Sequence, residues 1–350
     1  MNKKLLSSSA LVGAMLISGA ALAEFKVGGD VTATVIFGGH DDSTANANHS
    51  DNRIGNETNL KMSGKQALSN GYTASYAGKV EFDGAASNYD HEYELKIGSG
   101  DMYVSFANDG GQTNKTMLTP FISYPTSSSA NAITPAGAAF PHDTYITNIA
   151  ESNNIGLGGK VGDGSFVVRY APNSTTSSDG NDIGNIDADS TGTDGSGYLV
   201  AYNGKIGGVG IAAAYTVLTK DDDSIANEDD KTEKRVGLSY NFGKIKVGVD
   251  HIMYEAGADA AGTGDKDTTL VGAAYAVSDA VTVGAYMSTT SDEKTGATAQ
   301  DEDIKMISIG YNLGAGSIAL NIVDVEGAGN AAAGSKEDYQ GLLITTKVGF

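Results

Sequence analysis

The chain consists of short segments in which apolar and polar residues alternate. An alternation with a period of two is typical of β-strands whose two faces meet different surroundings. In the first such segment, Val27, Val31 and Val35 fall on one face, and Asp30 and Thr34 fall on the other. This pattern predicts an all-β protein, although a single strand of this kind would also fit a soluble β-sandwich.

The connections between these segments have two very different lengths. Short turns, such as residues 98–101, 162–164 and 314–316, alternate along the chain with long polar connections, such as residues 172–197 and 221–231. Membrane barrels are built in this way, with short periplasmic turns and longer extracellular loops. A soluble sandwich has no reason to keep such a strict alternation, so the pattern favours a membrane barrel.

No apolar run after residue 23 reaches the length of about 18 residues that a spanning helix needs. A membrane protein without such a helix must be a closed barrel, because only closure satisfies every backbone N–H and C=O group in lipid. Counting the alternating segments predicts sixteen antiparallel strands, an even number, as single-chain bacterial barrels have. The predicted strands are 25–37, 53–65, 71–83, 89–97, 102–107, 151–161, 166–172, 198–204, 209–220, 232–242, 245–255, 268–277, 281–290, 303–313, 317–326 and 339–350.

The N-terminal residues have the composition of a signal peptide. Asn2-Lys3-Lys4 is a basic head, residues 11–22 are mostly apolar, and Ala21-Leu22-Ala23 supplies the small residues of a cleavage site. The apolar stretch is too short to span about 30 Å of hydrocarbon. We therefore expect residues 1–23 to be removed after export and residues 24–350 to form a single barrel domain.

Composition excludes several classes of function. The formal net charge is −20, which argues against a nucleic-acid partner, because phosphates are bound by Lys and Arg. The chain has no cysteine, so neither a disulfide framework nor a thiolate zinc site can form. No G-x-S-x-G, H-E-x-x-H, G-x-G-x-x-G or P-loop motif occurs, and we expect no enzyme activity.

Aromatic residues at the ends of segments suggest where the barrel meets the membrane and how it is inserted. Tyr202, Tyr240, Tyr275 and Tyr311 each close a segment before a short turn, so they are predicted to form an aromatic girdle on the lipid face. The last segment ends in Phe350, with apolar residues at every second position before it. This ending resembles the C-terminal signal that the outer-membrane barrel-insertion machinery recognises.

The whole chain after residue 23 resembles the general diffusion porins of Gram-negative bacteria, which are trimeric barrels of sixteen strands. The resemblance is carried by residues 25–30 (FKVGGD), residues 60–64 (LKMSG), the terminal Phe350, and one very long connection after residues 102–106. It implies an outer-membrane, passive channel for small hydrophilic solutes and ions, assembled as a homotrimer in contact with lipid and lipopolysaccharide. In that family the third loop folds into the lumen and narrows it, and residues 107–150 occupy this position here.

The same resemblance implies an electrostatic constriction, in which loop carboxylates face basic residues on the wall. The loop carboxylates would be Asp109, Asp143 and Glu151. The residues of the wall would be Arg53, Glu57, Lys61, Lys79 and Arg169. The wall has fewer basic residues than the resemblance implies, and carboxylates share the lumen face with them. We therefore expect a mild preference for cations.

The acidic loops raise the question of calcium. Asp187, Asp189 and Asp194 offer hard oxygen ligands, but Tyr198 stands where the twelfth-position Glu of an EF-hand loop would be. A solvated acidic loop is the favoured interpretation, and no other cofactor is expected. Two alternatives to the general channel remain open: a substrate-selective outer-membrane channel, and a secreted β-protein that binds calcium or glycans.

Overall fold

The computed structural model describes residues 24–40, 52–68, 71–83, 89–108, 153–172, 196–219, 230–256, 264–294, 301–328 and 337–350. All sixteen predicted strands are confirmed. They are β1 Glu24–His40, β2 Asn52–Ala67, β3 Thr73–Asp83, β4 Tyr89–Ser99, β5 Met102–Asn108, β6 Asn154–Val161, β7 Gly164–Ala171, β8 Gly197–Ile206, β9 Val209–Leu218, β10 Lys231–Phe242, β11 Ile245–Glu255, β12 Gly264–Ala276, β13 Val281–Lys294, β14 Glu302–Asn312, β15 Gly316–Ala328 and β16 Glu337–Gly349. Across these described ranges, no helix is long and apolar enough to cross a membrane.

The strands form one closed antiparallel barrel, in which every strand pairs with its neighbours in the sequence. The barrel closes where β1 pairs with β16, from Asp30 opposite Gly349 to His40 opposite Tyr339. Short turns join β4 to β5, β6 to β7 and β14 to β15. Gly100, one of the turn residues, has a φ of 63°, a conformation that glycine adopts without a steric penalty. Because the strand count is even, the start of β1 and the end of β16 lie at the end of the barrel that carries these turns.

The two faces of the sheet differ in composition and exposure, as the alternation in the sequence predicts. On β8, Tyr198 and Val200 point outward and are exposed, whereas Leu199 and Ala201 point into the lumen and are buried. Across the barrel, the exposed large side chains on the outer face are predominantly apolar. Since an exposed apolar belt is unfavourable in water, this face is suited to lipid.

The last residue completes the closure of the barrel. The Phe350 N–H donates to the Gly29 carbonyl at 3.0 Å, and the Gly29 N–H donates to the Phe350 carbonyl at the same distance. A Cβ atom at position 29 would overlap the Phe350 ring, so glycine leaves room for this ring against β1. Phe350 therefore has a structural role at the seam between the first and last strands.

The tyrosines predicted to form a girdle point outward and lie beside the short turns. Tyr240, Tyr275 and Tyr311 are exposed on the outer face of β10, β12 and β14. Tyr202 also points outward on β8, where its ring lies over Gly164 and Gly204. Their common position relative to the short turns is consistent with a membrane–water interface.

Strand ends differ from the prediction mainly on the side of the long connections. β12 begins at Gly264 instead of residue 268, and β13 continues to Lys294 instead of residue 290. Both faces of these extensions carry polar residues, so the alternation fades while backbone pairing continues from Gly264 opposite Lys294. The predicted sixth strand also begins later, at Asn154.

The predicted signal peptide (residues 1–23) lies outside the described residues.

Candidate functional site: the charged lumen wall

The lumen face of β1, β2 and β16 carries a cluster centred on Asp30. The Asp30 carboxylate forms ion pairs with Lys61 of β2 and, at 3.2 Å, with Lys347 of β16. The Asn59 side chain also donates to Asp30 at 3.1 Å. Lys347 and Asp30 are far apart in the sequence and meet only because the barrel closes.

A second cluster lies on the adjoining strands β3 and β4. Lys79 forms ion pairs with two carboxylates, Glu81 at 2.6 Å on its own strand and Glu92 on the next strand. Two carboxylates around one ammonium group give this patch a negative balance.

The third cluster joins β4 to β7. Arg169 donates through Nη2 to Glu94 Oε1 at 2.8 Å and through Nη1 to Asn154 Oδ1 at 2.6 Å. Lys96 Nζ lies 2.7 Å from the other carboxylate oxygen of Glu94 and 4.8 Å from the centre of the Tyr103 ring. One carboxylate therefore holds two cations of the wall, and the second cation also rests over an aromatic face.

Small residues on the intervening strands let Arg169 reach Glu94. The arginine side chain passes over Gly156, where an added Cβ atom would lie 3.5 Å from Arg169 Cγ and 2.5 Å from Ser105 Oγ. Ser105 and Gly156 are opposite each other on β5 and β6. A bulky side chain at either position would lift the guanidinium away from the wall.

Exposure varies around the lumen wall. On β2 and β4, the side chains of Lys61 and Lys96 are 48% and 37% exposed. Arg235 of β10 and Ile304 of β14 are only 1% exposed, although both point into the lumen. Solvent-accessible space inside the barrel therefore reaches the lysines of β2 and β4.

Comparison with known families identifies the chain. A family model described as Gram-negative porin matches residues 7–340. The chain belongs to the Gram-negative porin family. This family and the closed barrel are those of outer-membrane channel proteins of Gram-negative bacteria.

Solved structures show the same fold. The porin is similar to variants of the Rhodopseudomonas blastica porin. One variant is 18% identical with a TM-score of 0.57, and another is 17% identical with a TM-score of 0.58. Each comparison covers 93% of this chain and 100% of the other chain. A third variant, at 16% identity and a TM-score of 0.57, has the same coverage. A search of the curated proteins finds no match.

The predicted wall residues of the porin fall into two groups. On β2 and β3, Lys61 lies opposite Lys79, whereas Glu57 lies four residues farther along β2, where it is buried and accepts a 2.5 Å hydrogen bond from Asn59. Arg169 belongs instead to the cluster on β4 and β7. The basic side chains Lys61, Lys79 and Arg169 are thus paired with carboxylates of the wall itself.

Other predicted residues are not tested by the structure. The Arg53 backbone lies opposite Ile36, but its side chain is outside the described part of the porin. The loop carboxylates Asp109, Asp143 and Glu151 and the calcium candidates Asp187, Asp189 and Asp194 lie outside the described residues. Within the described ranges, no group of three or more His, Asp or Glu side chains could hold a metal ion.

Several lumen residues were not predicted from the sequence. Lys347 and Asn59 complete the Asp30 cluster, and neither is distinctive in a polar segment. Glu233, Arg235 and Asp250 are almost completely buried on the lumen face of β10 and β11. Because side chains alternate along a strand, the outward position of Leu238 would have assigned Glu233 and Arg235 to the lumen face. The alternation would not have shown that these two residues are buried.

Proposed function

We propose that this porin is a passive diffusion channel for small hydrophilic solutes and ions. The observation that carries the proposal is a closed barrel with an apolar outer face and a charged, partly exposed inner wall on β2–β4. Water and hydrated solutes can follow such a wall, whereas an apolar lumen would dewet. In this proposal the chain is a channel and not an enzyme.

The proposed channel is narrowed by residues 107–150, which connect β5 to β6. Support comes from β15 and β16, where Val323, Val325 and Leu343 point inward yet are about 1% exposed or less. Apolar side chains on the wall of a wide aqueous lumen would be unfavourable unless other parts of the chain cover them. The apolar residues Phe121, Ile133 and Phe140 of the connection are suited to such a contact.

We further propose a mild preference for cations. Between the middle of the barrel and the end with the long connections, the described lumen-facing carboxylates are those of Asp30, Glu57, Glu81, Glu92, Glu94, Glu233, Asp250 and Glu302. The basic residues over the same stretch are Lys61, Lys79, Arg169, Lys231, Arg235, Lys266 and Lys347. Carboxylates are in excess, and a fixed negative charge raises the local concentration of cations.

The decisive measurement is the reversal potential of the purified porin in a planar bilayer under a salt gradient. We expect conduction, with potassium carrying more current than chloride. Replacing Asp109 and Asp143 together by Asn should reduce that preference. A dominant chloride current would overturn the proposed selectivity, and the absence of any conductance would overturn the proposed function.

The proposed cellular context is a homotrimer in the outer membrane, in contact with lipopolysaccharide and inserted by the barrel-insertion machinery. An intact trimer should migrate as a large species on a detergent gel until it is boiled. A single barrel-sized band before boiling would contradict the trimer without affecting the channel proposal. A secreted calcium- or glycan-binding protein would instead be soluble without detergent.

A further inference from the structure

A ring of lysines lines the lumen at the end of the barrel that carries the short turns. These residues point inward, near the turn or chain end that closes their strand. They are Lys26, Lys65, Lys96, Lys160, Lys205 and Lys246, called the lysine ring below. In porins the short turns are periplasmic, so the ring surrounds the periplasmic mouth.

Few carboxylates oppose this ring. At the same level, Glu24 is the one described lumen-facing carboxylate, and it pairs with Lys26 at 2.7 Å. Lys96 pairs with Glu94, which lies farther from the turn on β4 and also holds Arg169.

Three members of the ring are not paired with a carboxylate. Across the residues that the structure describes, Lys65, Lys160 and Lys205 form no ion pair, and all three are exposed; Lys65 lies opposite Glu24, which pairs with Lys26 instead. Lys205 also acts electrostatically on Lys246 of β11, so charges on separate strands share one field. The turn residues Asp101, Asp163 and Asp279 lie in the connections beyond the strands and offset this field only in part.

The lumen is therefore polarised along its axis. Carboxylates predominate from the middle toward the long connections, and lysines predominate at the short-turn mouth. A low-dielectric wall around a water-filled mouth concentrates such a field, and the exposed charges act over about 8 Å at physiological ionic strength.

We propose that the lysine ring is a binding site for multivalent anions, such as polyphosphates, that occupies and obstructs the channel from the periplasmic side. This inference rests on the proposed channel function. Lysine ammonium groups are compact point charges on flexible stems, unlike the planar fork of arginine. The ring therefore recognises charge rather than a particular anion geometry, and a polycarboxylate should bind as well as a polyphosphate.

The test uses the full-length mature porin in planar bilayers, with tripolyphosphate as the probe. Because the chain has no cysteine, a Ser278→Cys variant carries a single thiol in the β12–β13 turn, and a membrane-impermeant thiol reagent added to one side assigns the orientation. We expect tripolyphosphate to reduce the current from the periplasmic side at concentrations about tenfold lower than from the other side, a difference of about 1.4 kcal/mol. Citrate should show the same sidedness.

The matched variants are Lys→Gln changes at the two ends of the barrel. Replacing Lys65, Lys160 and Lys205 together by Gln should make the block by tripolyphosphate equally weak from both sides. The variant should still conduct in plain salt. Lys231→Gln, an exposed lumen-phase lysine near the opposite end, should leave the sidedness intact.

Two results would overturn the inference in a conducting channel: equal block from both sides, or block by tripolyphosphate that survives the triple change. Block by tripolyphosphate but not by citrate would overturn the charge-based recognition. A protein that does not conduct in plain salt would overturn the proposed function instead, so the two failures are distinguishable.

Discussion

Arg169 on β7 and Glu94 on β4 form a 2.8 Å ion pair across the two strands that separate them. The guanidinium crosses β6 at Gly156 and is only 2% exposed, and Glu94 is 11% exposed. Neighbouring strands lie about 4.8 Å apart, so this side chain spans a wide arc of the wall. The pair ties together the stretch of the barrel that contains its shortest strands, β5, β6 and β7.

Glu94→Gln is expected to destabilise the barrel more than Arg169→Gln. Loss of the carboxylate leaves the buried Arg169 without its charged partner, whereas loss of the arginine leaves Glu94 paired with Lys96. Removing one partner of a buried pair costs roughly 3–5 kcal/mol, and Arg169→Gln should cost less because Glu94 keeps its ion pair with Lys96. Urea unfolding in detergent, followed by circular dichroism, measures both variants.

The matched control is the outward-facing pair of Lys305 and Glu326, which are 2.8 Å apart and about half exposed. Glu326→Gln should leave the unfolding midpoint unchanged, because this pair lies at the ends of β14 and β15 beside the long connections and pairs exposed to water contribute little. Equal destabilisation by Glu94→Gln and Glu326→Gln would show that burial of the pair is not what matters.

Gly156→Val is predicted to separate Arg169 from Glu94 without removing either residue. A branched side chain at position 156 would occupy the space between Ser105 and the arginine stem. The unfolding midpoint should fall, and in a double-mutant cycle with Glu94→Gln the two effects should not add, because both disrupt the same contact. Additive losses would instead assign the glycine an independent role in packing.

Asp30→Asn should move the selectivity of the channel toward anions. The substitution removes the carboxylate that pairs with both Lys61 and Lys347, whose side chains are 48% and 44% exposed in the lumen. Two partly exposed ammonium groups without a counter-charge attract chloride. The reversal potential in a salt gradient should shift accordingly, and Glu326→Gln on the outer face should not shift it. An unchanged potential would mean that permeating ions do not approach the Asp30 cluster.

Phe350→Ala should slow the closure of the barrel even when no cellular machinery is present. The ring lies against Gly29, and the change removes this contact while the two backbone hydrogen bonds between the residues can remain. Refolding from urea into detergent micelles, followed by the heat-dependent shift on a gel, reports closure. Val348→Ala, an outward position on the same strand, provides the comparison. If the Phe350→Ala variant refolds as fast as the unmodified porin, Phe350 acts only as a signal that the insertion machinery recognises.

The strands and their two faces were predictable because both depend on short-range order. Side-chain direction alternates with a period of two, so Val27 and Asp30 could be assigned to opposite faces before any pairing was known. Turn chemistry is equally local, as at Gly100 and Gly162. Strand ends on the side of the long connections were less predictable, because backbone pairing there continues without an apolar face.

The sequence by itself thus determined a sixteen-stranded barrel with a lipid face, a lumen face and connections of two lengths. Tertiary structure alone decided which lumen residues meet, because side-chain contacts across strands depend on register and closure. The pairing of Lys347 with Asp30 requires the last strand to lie beside the first, and the pairing of Arg169 with Glu94 requires small residues at two intervening positions. The gathering of lysines at one mouth likewise emerges only when distant strand ends are brought to the same level.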